Sequence, residues 1–99
     1  MPSLALFARL EAKPGKEGEV AALLMQGLEL ARKESTTPVW FALRLGPSTF
    51  GVFDAFADEH GRQAHLEGPI AQALMARSEL FAAPLTIDRL DVLGAKLPK

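Results

Sequence analysis

The residues able to do chemistry in this 99-residue chain are few, because it contains no cysteine and no tyrosine and only two histidines. His65 stands in Ala64-His65-Leu66, and an imidazole with an ordinary pKa of ~6.5 takes and releases protons near neutral pH. It reads either as a base or hydrogen-bond partner for a bound molecule, or as a ring that packs at a helix end. His60, in a polar turn, reads as a solvated surface residue. Asp54 lies mid-strand between aromatics, where a buried carboxylate needs a partner, and Arg9, Arg44 and Arg89 are the candidates. Left without a cation, burial would raise its pKa and make it a base. Arg44 reads as that partner or as a cation for an aromatic oxyanion. Trp40 offers a flat ligand a broad apolar face and one N–H donor, and Phe56 offers a second apolar wall; the plainer reading of both is core or interface. Phe41 alternates to the face opposite Trp40, so the two do not line one cavity unless the strand twists or bulges.

Several chemistries are excluded by what is missing. Without cysteine there is no disulfide, thiolate nucleophile or thiolate-bound metal, and the chain suits a reducing compartment such as the cytoplasm. No Ser/His/Asp constellation is visible, and two histidines without an acidic residue at ligand spacing argue against a metal site. With 11 basic and 12 acidic residues, a net charge of −1 and no Lys/Arg cluster, nothing is available to neutralise a phosphate backbone, so nucleic acid is not an expected partner. The apolar start, Met1 to Ala8, lacks a basic leader and meets Arg9 and Glu11 early, and no apolar run approaches the ~20 residues of a membrane span. A soluble protein is expected.

The elements that must position these residues follow from periodicity. Leu4 to Ala12 alternates, with Leu4, Leu6, Ala8 and Leu10 on one face, and Pro14-Gly15 ends it, which predicts a first strand. From Lys16 to Lys33, Val20, Leu23, Leu24, Leu28 and Ala31 recur at helical spacing behind acidic Glu17 and Glu19. Gly27 inside that helix costs about 1 kcal/mol relative to alanine, a sign of close packing or of simple tolerance. Val39 to Leu45 and Thr49 to Ala57 are β-prone runs about Gly46-Pro47-Ser48 and predict a hairpin. In the second run Phe50, Val52, Asp54 and Phe56 share one face and Gly51, Phe53 and Ala55 the other, so both faces want cover. Asp58 to Leu66 and Ile70 to Phe81 form a helix broken at Gly68-Pro69, and Leu85 to Leu93 reads as a last strand before a polar tail.

The resulting order, βαββαβ over one domain spanning residues 1–99, predicts an α+β ferredoxin-like fold. A four-stranded antiparallel sheet then carries both helices on one face. The other sheet face stays bare, and a chain this short gains from covering it, so a homodimer is expected; a different protein on that face is the competing reading.

The segment Phe53-Asp54-Ala55-Phe56-Ala57-Asp58-Glu59-His60-Gly61-Arg62-Gln63-Ala64-His65-Leu66 resembles the strand-to-helix signature of the antibiotic-biosynthesis-monooxygenase-like family of dimeric α+β barrels. Ala12-Lys13-Pro14-Gly15-Lys16-Glu17 is similar to that family's first-strand exit. The resemblance implies a pocket between sheet and helices in each subunit of a dimer. In the family's monooxygenases such a pocket takes a flat phenol or quinol that reacts with O2 without metal or flavin, so no cofactor is expected. His65 matches the His-Leu position and becomes the candidate base, with Trp40, Phe56, Asp54 and Arg44 as candidate substrate contacts. The alternative is a dimeric barrel that binds a small aromatic ligand without turnover, and an isomerase of similar fold is a third reading. The haem-degrading branch uses an asparagine, a tryptophan and a histidine where this chain has Ala8, His65 and Met75, so haem degradation is not implied.

Overall fold

A computed structural model describes residues 2–98. Its elements are β1 (Leu4–Glu11), α1 (Glu17–Ala31), β2 (Val39–Arg44), β3 (Thr49–Phe56), α2 (Glu59–Leu66), α3 (Pro69–Ala76), a 3-10 turn (Ser78–Leu80) and β4 (Thr86–Asp91). The strands form one antiparallel sheet in the order β2-β3-β1-β4, the ferredoxin-like α+β arrangement. The helical segment is broken at Gly68-Pro69, where Gly68 is the extended N-cap of α3 and Pro69 takes its first turn, a place where proline's missing N–H costs no hydrogen bond. Its second half is shorter than the periodicity suggested, because the chain tightens into the 3-10 turn after Arg77.

Alternation decides which residues meet the helices. Register pairs Leu4 with Phe56, Leu6 with Asp54, Ala8 with Val52 and Leu10 with Phe50, so these side chains share the helix-covered face. There Leu10, Phe50 and Val52 pack with Val20, Leu23 and Leu24 of α1 and Ile70 and Leu74 of α3 to make the core. Gly27 proves to be a close-packing glycine: a Cβ there would lie 3.2 Å from Cη2 and Cζ2 of Trp40, whose indole fills the space the missing side chain leaves.

The opposite face carries the other set. Phe41 pairs with Phe53, Phe53 with Phe7 and Phe7 with Asp88, while Val39, Ala55, Ala5 and Leu90 form the adjoining row. Within these rows Ala5 and Ala55 are buried in the middle of the sheet, whereas Phe41 is 53% and Leu90 37% exposed towards its two edges.

Candidate functional site

Asp54 is placed by β3 and His65 by α2. Helix α2 begins with Asp58 accepting the Gly61 amide, and Arg62, one turn before His65, reaches from the Glu59 carboxylate towards the Ala5 and Leu90 carbonyls. This holds α2 across β1 and β4 and turns His65 inward. Its Nε2 stands 2.8 Å from Asp54 Oδ2, while Nδ1 stands 3.0 Å from Oε2 of Glu34, in the segment after α1. Thr37, on the same segment, donates its hydroxyl to Glu34 at 2.6 Å. Gly61 lets that segment approach α2, because a Cβ there would meet the Thr36 carbonyl at 3.0 Å. The Phe56 ring lies against the imidazole, centroids 5.3 Å apart.

His65 and Asp54 line a cavity of about 110 Å³ between sheet and helices, whose other walls are aliphatic, among them Leu6, Ala8, Val52, Ile70, Leu74 and Ile87. That volume approaches the ~150 Å³ of an apolar cavity known to admit benzene. Leu74, Met75, Leu85 and Ile87 also border a wider surface hollow, so the cavity adjoins an opening. Ala8, His65 and Met75, the three positions that differ from the haem-degrading pattern, all belong to its wall.

The electrostatics are unusual for so apolar a place. Two carboxylates share one imidazole, and among the described residues no lysine or arginine pairs with either. Burial pushes the Asp54 carboxyl up, partly offset by the hydrogen bond and charge of His65. For His65, burial favours the neutral ring, but Asp54 and Glu34 together outweigh it and raise the pKa. When doubly protonated, the form that this upward shift favours, the ring donates to both carboxylates at once and has no lone pair to offer a ligand. Asp54 Oδ1, buried and without a hydrogen-bond partner, remains the free acceptor.

The sequence-predicted site residues are therefore divided. Asp54 and His65 come together, with His65 rather than Arg9, Arg44 or Arg89 as the partner of Asp54. Trp40, Phe56 and Arg44 do not line the cavity. Trp40 and Arg44 belong to β2, the edge strand farthest from β4, where the indole packs over Gly27 and the guanidinium stacks 4.7 Å from the Phe50 ring centroid. Phe56 is fully buried behind His65. Glu34 was not anticipated: it sits in the polar run Glu34-Ser35-Thr36-Thr37, which has no periodicity to mark it.

No protein-family model and no functionally curated protein matches the sequence. Among solved structures, NE2512 from Nitrosomonas europaea, a protein of unknown function, is 60% identical over 100% of this chain and 97% of its own, with a TM-score of 0.96. A Nitrosomonas europaea protein and a Caulobacter crescentus protein, both provisionally described as antibiotic biosynthesis monooxygenases, superpose with TM-scores of 0.82 and 0.81. Their identities are 15% and 18%; the first match covers 92% of this chain and 90% of that one, the second 94% and 92%. The fold is thus that of the antibiotic-biosynthesis-monooxygenase-like proteins, the family that the Phe53–Leu66 segment resembles. This chain belongs to the same family as NE2512.

Proposed function

We propose that the cavity binds a small phenol- or quinol-type aromatic and that the protein oxidises it with O2, using no metal or flavin. The observation that carries this reading is the buried, unpartnered Asp54 Oδ1, on a residue that lines an otherwise apolar cavity, backed by a His65 already engaged on both ring nitrogens. A hydroxyl on an aromatic body supplies the donor that Oδ1 lacks. Transfer of its proton to Asp54 leaves an electron-rich anion in a site with little water, and the positive His65 ring offsets the charge. The anion supplies the electrons: dioxygen bonds to a ring carbon, the C–H bond at that carbon and the O–O bond break, one oxygen stays as the new quinone carbonyl, and the other leaves as water with the former C–H proton and the proton returned from Asp54. Asp54 is the base in this scheme, and His65 holds and charges it, which shifts the base from the imidazole to the carboxylate.

A second copy of the chain belongs on the open sheet face in the same proposal, where Phe41, Phe53, Phe7 and Leu90 supply a continuous apolar surface.

Oxygen uptake against a panel of quinols and polyphenols, with metals chelated, tests the activity. Uptake above autoxidation that falls by ~100-fold or more in Asp54→Asn and His65→Ala is expected, the size of a lost general base. No uptake across the panel, with ligand-dependent gains in melting temperature, would assign the cavity to binding without turnover.

A further inference from the structure

The side of His65 facing away from the cavity is built as carefully as the side facing it. Side-chain exposure rises along the chain of groups, from 4% at Asp54 through 7% at His65 to 15% at Glu34. Glu34 Oε2 stands 3.0 Å from His65 Nδ1 and accepts the Thr37 hydroxyl at 2.6 Å, so the carboxylate is held beside the ring. The groups facing His65 are Asp54 and Phe56 from β3 and Glu34 and Thr37 from the segment after α1; on its own helix, Arg62 is occupied by Glu59. A carboxylate that only neutralised the imidazolium would duplicate Asp54 and leave the cluster one negative charge in excess, a costly arrangement where burial is deep.

We infer that Glu34, steadied by Thr37, is the solvent-side port through which His65 exchanges its ring proton with bulk water, so that the Asp54–His65 pair is recharged without water entering the cavity. The step is a reversible proton transfer: Nδ1–H passes to Glu34 Oε2, the Glu34 carboxyl releases that proton to water, and the reverse sequence restores the imidazolium. Glu34 touches no ligand and acts as a positioning and relay residue. This inference adds a route to the proton chemistry proposed above, but its primary test needs neither ligand nor turnover.

That test is the rate at which the His65 ring protons exchange with water, measured by NMR magnetisation transfer on nitrogen-15-labelled protein. Glu34→Gln keeps the size of the side chain and removes its ability to carry a proton; exchange is expected to slow by ~10-fold or more, with the fold verified by an unchanged amide spectrum. Glu34→Asp, which keeps a carboxylate, should stay within about threefold of the parent, and added acetate should restore part of the Glu34→Gln loss. A role confined to packing would not respond to acetate. Exchange in Glu34→Gln as fast as in the parent would overturn the port. If the exchange results hold while no phenol binds and no oxygen is consumed, the port stands and the oxidation proposal falls.

Discussion

The Nε2 of His65 lies 2.8 Å from Oδ2 of Asp54, and both side chains are almost wholly withdrawn from solvent. A close, buried acid–base pair of this kind ties folding to pH, and the sign follows from the two shifts. His65 is raised, so its contribution is fully present below the unfolded pKa of ~6.5 and is lost as pH climbs through the higher folded value. Asp54 is also raised: the folded protein holds that proton more tightly than the unfolded chain does, so stability falls as pH rises above ~3.9, until the folded value is passed. Both terms decline in the alkaline direction. Melting temperature followed from pH ~6 to ~9 should fall more steeply in the parent than in His65→Gln. Parallel curves would contradict the coupling.

The two partners should not be equally costly to remove. His65→Ala leaves two buried carboxylates facing each other without a cation and should destabilise by about 3 kcal/mol or more. Asp54→Asn keeps an acceptor for Nε2–H and removes the surplus negative charge, so its cost should stay under about 1 kcal/mol. Denaturant unfolding of both variants checks the order, and a costlier Asp54→Asn would show that the carboxylate is a net stabiliser of the cluster.

Trp40, the sole tryptophan, reports on the contact with α1. Gly27→Val adds two methyl groups beyond a Cβ already 3.2 Å from the indole, so the ring must move outward from the half-buried edge strand. A loss of about 1–3 kcal/mol is expected, with a red-shifted tryptophan emission. Unchanged emission would mean that the helix, and not the indole, gives way.

Much of the frame was legible in the sequence because it rests on local pattern. The alternation of Leu4 to Leu10, the helical spacing from Val20 to Ala31 and the Gly68-Pro69 break each state their element directly, and the faces of β3 follow from one reading of Phe50 to Phe56. The cavity wall was less legible. Trp40 and Phe56 have the right chemistry for a flat-ligand site, but strand order puts Trp40 on the edge away from the cavity, and the imidazole itself screens Phe56 from it. Asp54 declared its need for a partner, whereas the identity of that partner depended on how α2 crosses the sheet. Glu34 was hidden because a carboxylate in a polar loop looks solvated until tertiary packing brings Thr37, Gly61 and His65 around it.

The open sheet face carries its own prediction. Phe41 is 53% exposed and contributes little to the core of its own subunit, so Phe41→Asp should leave the fold intact while placing a charge in the middle of the proposed interface. Light scattering after size exclusion should give a dimer for the parent and a monomer for the variant at micromolar concentration. A parent that is monomeric at all concentrations would leave that face to another partner.

The claim that Asp54 Oδ1 receives a ligand's hydroxyl is tested most directly by comparing the binding of 4-nitrophenol and 4-nitroanisole, which differ by the one O–H, to the parent and to Asp54→Asn. The parent should prefer the phenol by ~10-fold or more, the worth of a hydrogen bond to a charged acceptor, and its visible band should show the bound phenol shifted towards the phenolate; both effects should largely vanish in Asp54→Asn. Equal affinity of the parent for phenol and anisole would contradict the account at its centre.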